Sequence, residues 1–327
     1  MTMPLLQAER LSVEFPVRGG LLRREVARLR AVRDVSVEVG AGEVLGIVGE
    51  SGCGKTTLGR ALVGLVEPSA GSLRVEGRDV ATLSPVERRR MTHDVQMVFQ
   101  DPFASLNPRK RIRQVLELPF EVHGLVPGTG REARIRELVE LVGLGPEHLE
   151  RWPHELSGGQ RQRVGIARAL ALQPKVVVLD EPLSALDMSV QSQVLNLLVE
   201  LQQRLDLSYV FISHDLSIVE YLCDRVAVMY LGRVVEAAPA SQLFASPRHP
   251  YTQALLDSVP NPVPDPAARA ARPERPLEGD VPGPLHAPAG CSFHTRCPLA
   301  QPRCRESVPE LRIVDTAGLH QAACHLL

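Results

Sequence analysis

Eight residues, Gly49-Glu50-Ser51-Gly52-Cys53-Gly54-Lys55-Thr56, restrict what this chain can fold into more than any other stretch. They follow the apolar run Val44-Leu45-Gly46-Ile47-Val48 and precede Thr57 to Leu65, where apolar residues recur at helical spacing. A strand that turns through glycines into a helix aims backbone N–H groups into the turn, and the helix dipole adds to their pull on an anion. Lys55 is placed to reach the β and γ phosphates of a nucleotide, and Thr56 to offer its hydroxyl to Mg2+. Gly49, Ser51, Gly52, Cys53, Gly54, Lys55, Thr56 and Thr57 are therefore the candidate phosphate contacts. A chance glycine-rich turn would need neither the strand–helix frame nor the Lys-Thr pair. Cys53 has two readings, a small filler or a thiol made reactive by Lys55 and the helix N-terminus.

Apolar runs alternate with amphipathic segments from the start of the chain to about residue 235. Val95 to Phe99, Val176 to Leu179 and Tyr209 to Ile212 read as strands, Arg131 to Val142 and Ser189 to Leu205 as helices. The unbroken apolar run at Val176 fits a central strand covered on both faces. This order predicts an α/β fold with a parallel sheet. A chain of 327 residues can bury at least one large core. The net charge of −1 gives no field for nucleic acid or anionic lipid, and 4 % aromatics supply no stacking platform for single strands. The N-terminus lacks the basic flank and apolar core of a secretory signal. No apolar run approaches the roughly 20 residues needed to cross a bilayer, so a membrane role has to come through a partner.

Two further motifs fix the chemistry. Asp180-Glu181 ends the apolar strand; the aspartate suits the magnesium shell and the glutamate can polarise an attacking water. Leu156-Ser157-Gly158-Gly159-Gln160 puts a hydroxyl and bare backbone N–H groups ahead of a helix, an anion-receiving terminus.

The phosphate loop (Walker A), Gln100, Leu156 to Gln160, Asp180-Glu181 (Walker B), Ser184-Ala185-Leu186-Asp187 and His214 stand in the order found in ABC ATPase subunits, which the chain resembles over nearly its whole length. The resemblance implies a P-loop cassette with a central parallel sheet, an antiparallel β subdomain and a helical subdomain at about 101–172. It implies that Gln100 senses Mg2+ and the γ phosphate, that Glu181 is the general base and that His214 contacts the γ phosphate. Asp187 then lies at a dimer interface, and Ser157, Gly158, Gly159 and Gln160 face ATP held by the partner subunit. Taken singly, His214 is equally a strand-end histidine and Gln100 an ordinary loop residue. Phe15 is the candidate for stacking on adenine or, alternatively, a core residue of the first strand; Pro16 to Arg30 reads as an insertion after it.

Finer likeness points to the oligopeptide/dipeptide permeases. It rests on Val98 to Arg109, Pro153-His154-Glu155, Asp187-Met188-Ser189-Val190-Gln191, His249 to Leu256 and Gly290 to Pro298. Cys53 with Leu58-Gly59-Arg60 is similar to the second ATPase of such importers, while Trp152 replaces a usual tyrosine. The resemblance implies a second ATPase subunit, two membrane subunits, an external binding protein and a place on the cytoplasmic face of the membrane. Peptides are the expected cargo, with nickel chelates or glutathione-like compounds as alternatives. A soluble ABC ATPase of translation or DNA repair is the rival, but this chain has neither a second cassette nor long coiled coils.

Residues 1–258 thus read as the nucleotide-binding domain, 259–288 as a proline-rich connector and 289–327 as a cysteine-rich extension. Cys291, Cys297, Cys304 and Cys324 crowd that extension, and a chain without an export signal favours metal over disulfides there. Their spacing matches no tight zinc or ferredoxin pattern. The family resemblance implies a four-iron four-sulfur cluster; zinc, reduced thiols and disulfides remain alternatives, with His294, His320 and His325 near enough to compete as ligands.

Overall fold

The computed structural model describes residues 3–19, 24–125, 128–258, 279, 282–283, 285 and 287–327; most of the expected connector lies outside them. The chain opens with the hairpin β1 (Leu6–Gly19) and β2 (Arg24–Val39). Next come β3 (Val44–Val48), α1 (Lys55–Leu62), β4 (Ala70–Val75), β5 (Arg78–Asp79), α2 (Pro85–Asp94) and β6 (Val95–Val98). Helices α3 (Ile112–His123), α4 (Gly128–Leu141) and α5 (Gly158–Leu170) form a group before the chain returns to β7 (Val176–Asp180). It continues through α6 (Met188–Leu205), β8 (Ser208–Ile212), α7 (Leu216–Leu222), β9 (Arg225–Tyr230), β10 (Arg233–Pro239), α8 (Ala240–Ala245) and α9 (Pro250–Asp257). A short helix, Pro302–Glu306, and the two-residue strands β11 (Arg312–Ile313) and β12 (Gln321–Ala322) close it.

Two sheets result. β2-β1-β4-β5 is antiparallel, and the larger sheet runs β11-β12-β10-β9-β3-β8-β7-β6. Its five strands from β9 to β6 are parallel; β3, β6, β7 and β8 are the four apolar runs read as strands, β9 joins them unannounced, and β10, β12 and β11 add antiparallel at one edge. The central sheet is therefore mixed. Alternate residues of its parallel strands enter two different cores. Leu45, Ile47, Val178, Val210 and Ile212 pack with α1 and the antiparallel sheet. Val44, Val48, Val177, Leu179 and Phe211 pack with the helical group. An unbroken apolar run is what such two-sided burial requires.

Local chemistry sets the helix starts. Ser84 caps α2 in a reciprocal box with Glu87, with Pro85 in the first turn; Asp187 caps α6. The segment read as an insertion, Pro16 to Arg30, supplies the outer parts of β1 and β2 where it is described, paired from Phe15↔Leu29 to Gly19↔Arg24 with a register shift between Val17 and Arg18. Its legs bury little apolar surface and carry cross-strand ion pairs, Arg30–Glu14 at 3.0 Å and Arg28–Glu14 at 3.6 Å, so no hydrophobic alternation announces them. No helix among the described residues is long and apolar enough to cross a membrane.

The C-terminal extension is bound into the main sheet. β12 pairs with β10, and Ala323 N–H donates to Val235 O at 2.8 Å. Beneath that seam Glu236, fully buried, accepts from Arg248 N–H at 2.6 Å and His249 N–H at 2.9 Å, while His320 Nε2 lies 2.6 Å from its Oε1. Removing one member of a buried, hydrogen-bonded group of this kind costs about 3–5 kcal/mol. Glu236→Ala should therefore lower the midpoint of thermal unfolding markedly, and limited proteolysis should cut the released tail first.

The metal cluster expected in the tail is not supported. Among the described residues no group of three or more His, Cys, Asp or Glu side chains could hold a metal ion. The thiols are free, and burial works against the thiolate form that a metal needs, pushing Cys291 up to about 11 and raising Cys297 and Cys324. The three histidines have other contacts: His294 Nδ1 lies 2.8 Å from Cys291 O, His325 Nε2 lies 2.9 Å from Ser307 O, and His320 faces Glu236. Strand pairing and buried side chains, not a cluster, hold the tail in place.

Candidate active site

The loop Gly49 to Thr56 joins β3 to α1 and sits against the root of the hairpin. Gly54, the N-cap of α1, has φ 109°, and a Cβ there would lie 2.2 Å from Ala31 O of β2. Only glycine permits both that dihedral and that approach. Lys55 opens the helix with its side chain buried; Nζ donates to Gly49 O at 2.6 Å and Glu50 O at 3.1 Å and lies 3.9 Å from Glu181 Oε1. Its ammonium thus bridges the loop and the end of β7. Ser51 and Gly52 are exposed at the loop's crest, and Thr57 is half-buried in the first turn.

Thr56 Oγ1 donates to Asp180 Oδ1 at 2.9 Å. Burial pushes the Asp180 carboxyl up, and the Thr56 hydroxyl opposes that by stabilising the anion. Glu181 takes a left-handed backbone, φ 44°, which turns its side chain out of the strand direction. Its Oε2 accepts from Gln100 Nε2 at 3.0 Å and lies 3.3 Å from His214 Nδ1. Lys55, Thr56, Gln100, Asp180, Glu181 and His214 therefore form one connected polar group. It lies where β3, β6, β7 and β8 end side by side, the carboxyl edge at which open parallel sheets bind ligands. Cys53 is buried at the loop's inner side, and burial raises its thiol, which fits the filler reading.

A second group lies at the start of α5. Ser157 is its N-cap: Gln160 N–H donates to Ser157 Oγ at 3.3 Å and Ser157 N–H to Gln160 Oε1 at 3.0 Å. Gly159 allows close packing on α6, since a Cβ there would meet Val190 Cγ1 at 2.3 Å. Asp187 caps α6 by accepting from Val190 N–H at 3.0 Å and the Ser189 hydroxyl at 2.8 Å, which hold its carboxyl low. Ser157 and Asp187 are thus brought together through the starts of two touching helices, next to Met188, which is 82 % exposed. The bonds that fix Ser157 and Gln160 run within their own motif and to His148, not to the Lys55 group.

Phe15 lies outside both cores, 37 % exposed on β1, while the other leg of the hairpin touches the loop at Ala31. Sequence reading missed three residues that shape the loop. Tyr251 is buried in α9, and its hydroxyl accepts from Glu50 N–H at 3.0 Å. Glu50 itself is paired with Arg296. All three lie in stretches that carry the family likeness, Tyr251 in His249 to Leu256, Glu50 in Gly49 to Thr56 and Arg296 in Gly290 to Pro298, but nothing in the sequence relates them to one another.

Comparison with known proteins agrees with this geometry. The family described as "ABC transporter" matches residues 32–184, and "Oligopeptide/dipeptide transporter, C-terminal region" matches residues 235–304. The chain is 48 % identical over 323 residues to the oligopeptide transport ATP-binding protein AppF of Bacillus subtilis, covering 98 % of this chain and 97 % of that one. It is 49 % identical over 321 residues to the di/tripeptide transport ATP-binding protein DppF of Pseudomonas aeruginosa, with the same coverage of 98 % and 97 %. Among solved structures, the ATP-binding cassette MJ0796, a dimer bound to ADP and Pi, superposes with a TM-score of 0.63 at 26 % identity, over 72 % of this chain and 98 % of that one.

Proposed function

The chain belongs to the ATP-binding subunits of the oligopeptide/dipeptide family of ABC transporters, and we propose that residues 1–258 bind and hydrolyse ATP as one half of a nucleotide-closing dimer that drives peptide import. The observation that carries this reading is Glu181, held by Gln100 and His214 and within 3.9 Å of Lys55. The loop N–H groups and Lys55 bind the triphosphate, and Glu181 accepts the proton of the water that attacks the γ phosphate. Gln100 and His214 orient that carboxylate.

Thr56, Asp180 and Gln100 present hard oxygens of the kind magnesium selects, and a buried carboxylate such as Asp180 gains from a cation beside it. When bound, the ion neutralises charge on the β and γ phosphates. Phe15 is assigned to the adenine face on its exposure and on its pairing with Leu29, two residues from the Ala31 that touches the loop.

Ser157 and Gly158 to Gln160 serve the partner's nucleotide, because their anion-receiving helix terminus belongs to a group separate from Lys55. Ser157→Ala should therefore slow hydrolysis of the ATP held by the other subunit, on the order of tenfold or more for loss of a hydroxyl donor to an anion. Assemblies in which only one subunit carries the change, with the two sites read separately, check the direction.

The assembly we propose contains a second ATPase subunit, two membrane subunits and an external peptide-binding protein, with this chain at the cytoplasmic face and its region after Gln100 against the membrane subunits. Likeness to AppF and DppF over nearly the whole chain supports it. Uptake of labelled di- and oligopeptides into vesicles holding that assembly, against nickel chelates and glutathione as competing cargo, tests it. ATP-dependent uptake of peptides is the expected outcome; uptake of only the competing cargo would overturn the peptide assignment.

A further inference from the structure

We propose that Arg296 is a positioning residue for ATP: from the C-terminal tail it holds Glu50, and through Glu50 it sets the phosphate-binding loop's affinity for nucleotide. The inference deepens the assignment of ATP to Gly49–Thr56 and rests on it.

Arg296 and Glu50 stand 246 positions apart, yet they form a two-pronged pair, Nη1 to Oε2 at 2.7 Å and Nη2 to Oε1 at 3.1 Å. The Arg296 side chain is only 5 % exposed, so the pair is weakly screened by salt and fixed in direction as well as charge. Glu50 is held at every polar group it has. Its N–H donates to the Tyr251 hydroxyl at 3.0 Å, and its C=O accepts from Lys55 Nζ at 3.1 Å and Cys53 N–H at 3.3 Å. Phe293, three residues before Arg296, is buried against Tyr230 and Tyr251 with ring centroids at 5.3 Å and 5.4 Å. One tail segment therefore grips both the side chain of Glu50 and the tyrosine that holds its backbone.

A plain reading is that the pair only fastens the tail. The tail is already fastened elsewhere, by β12 on β10 and by His320 at Glu236. Charge gives the pair a separate consequence. Glu50 puts a carboxylate inside a loop built to receive a polyanion, and unpaired it would repel the triphosphate. Arg296 cancels that charge from the side away from solvent.

The test is ATP hydrolysis by the assembled, full-length transporter in lipid vesicles, with thermal unfolding of each variant measured alongside. Arg296→Ala is expected to raise KM for ATP about tenfold with kcat within about twofold, and Arg296→Lys, which retains the cation, about threefold. Adding Glu50→Gln to Arg296→Ala should return KM to within about threefold of the natural value, because the repelling charge is gone. If Arg296→Ala does not assemble, Arg296→Lys and the double variant carry the same comparison. An unchanged KM in these variants, or a raised KM that Glu50→Gln does not relieve, overturns the proposal and leaves the pair as a fastening. A natural assembly that hydrolyses no ATP would strike the nucleotide assignment instead, so the two failures are distinct.

Discussion

Glu181→Gln is expected to bind ATP and to hydrolyse it about 10²- to 10⁴-fold more slowly, the range that a positioned proton acceptor contributes. The amide is isosteric with the carboxylate and can still accept the Gln100 Nε2 hydrogen bond seen at 3.0 Å, so the local backbone has no reason to move. It cannot take a proton from water. It also removes one negative charge lying 3.9 Å from Lys55, which frees that ammonium for the phosphates and should leave nucleotide affinity equal or stronger. Binding and turnover should thus separate, and single-turnover hydrolysis beside nucleotide-binding titration reads both. Glu181→Ala is the less clean variant, because it strands the Gln100 amide without its acceptor. Turnover of the glutamine variant within tenfold of the natural rate would take Glu181 out of the role of base. His214, 3.3 Å away, would then be the group to replace next.

What the sequence made legible is what depends on short separations along the chain. The strand, glycine loop and helix around Lys55 are contiguous, so spacing alone placed them, and four of the five parallel strands announced themselves as apolar runs, β9 being the exception. The outer hairpin legs did not, because strand ends stabilised by cross-strand ion pairs and left largely in solvent have no apolar alternation to read. The antiparallel edge was hidden for a similar reason. β11 and β12 have two residues each, too short for any periodicity, and they exist because β10 offers an open edge.

The tail shows the converse error. Four cysteines within a short stretch satisfy a count, but ligation depends on where the sulfurs point and whether they ionise, and neither is written in their spacing. Glu50 lies in the phosphate loop and Arg296 in Gly290 to Pro298, yet their pairing needs the tail to fold back over the nucleotide loop. Single-chain reading supplies no constraint of that range. The candidate residues for chemistry stand in contiguous motifs, whereas Arg296 stands 246 positions from the Glu50 it pairs with.

Gly54→Ala should abolish ATP binding, and the reason lies in two separate penalties. The residue sits at φ 109°, outside the regions open to an L-amino acid, and even the milder left-handed helical region costs roughly 1–2 kcal/mol. The new Cβ would also fall 2.2 Å from Ala31 O, a backbone atom in the hairpin that cannot swing aside like a side-chain tip. Either the hairpin root lifts off the loop or α1 tilts, and both turn the first-turn N–H groups away from the phosphates they are meant to hold. Gly52→Ala in the same loop is the control. Its φ of 77° carries the conformational penalty, but nothing lies within 4 Å of its added Cβ. Nucleotide titration should therefore show Gly52→Ala weakened by about tenfold, which is what roughly 1–2 kcal/mol amounts to. Gly54→Ala should bind at least about a hundredfold more weakly, because the collision adds to the dihedral penalty. Equal losses in the two variants would mean that backbone freedom alone matters in this loop. A much larger loss in Gly54→Ala would show that contact with the hairpin at Ala31 holds the phosphate site in shape.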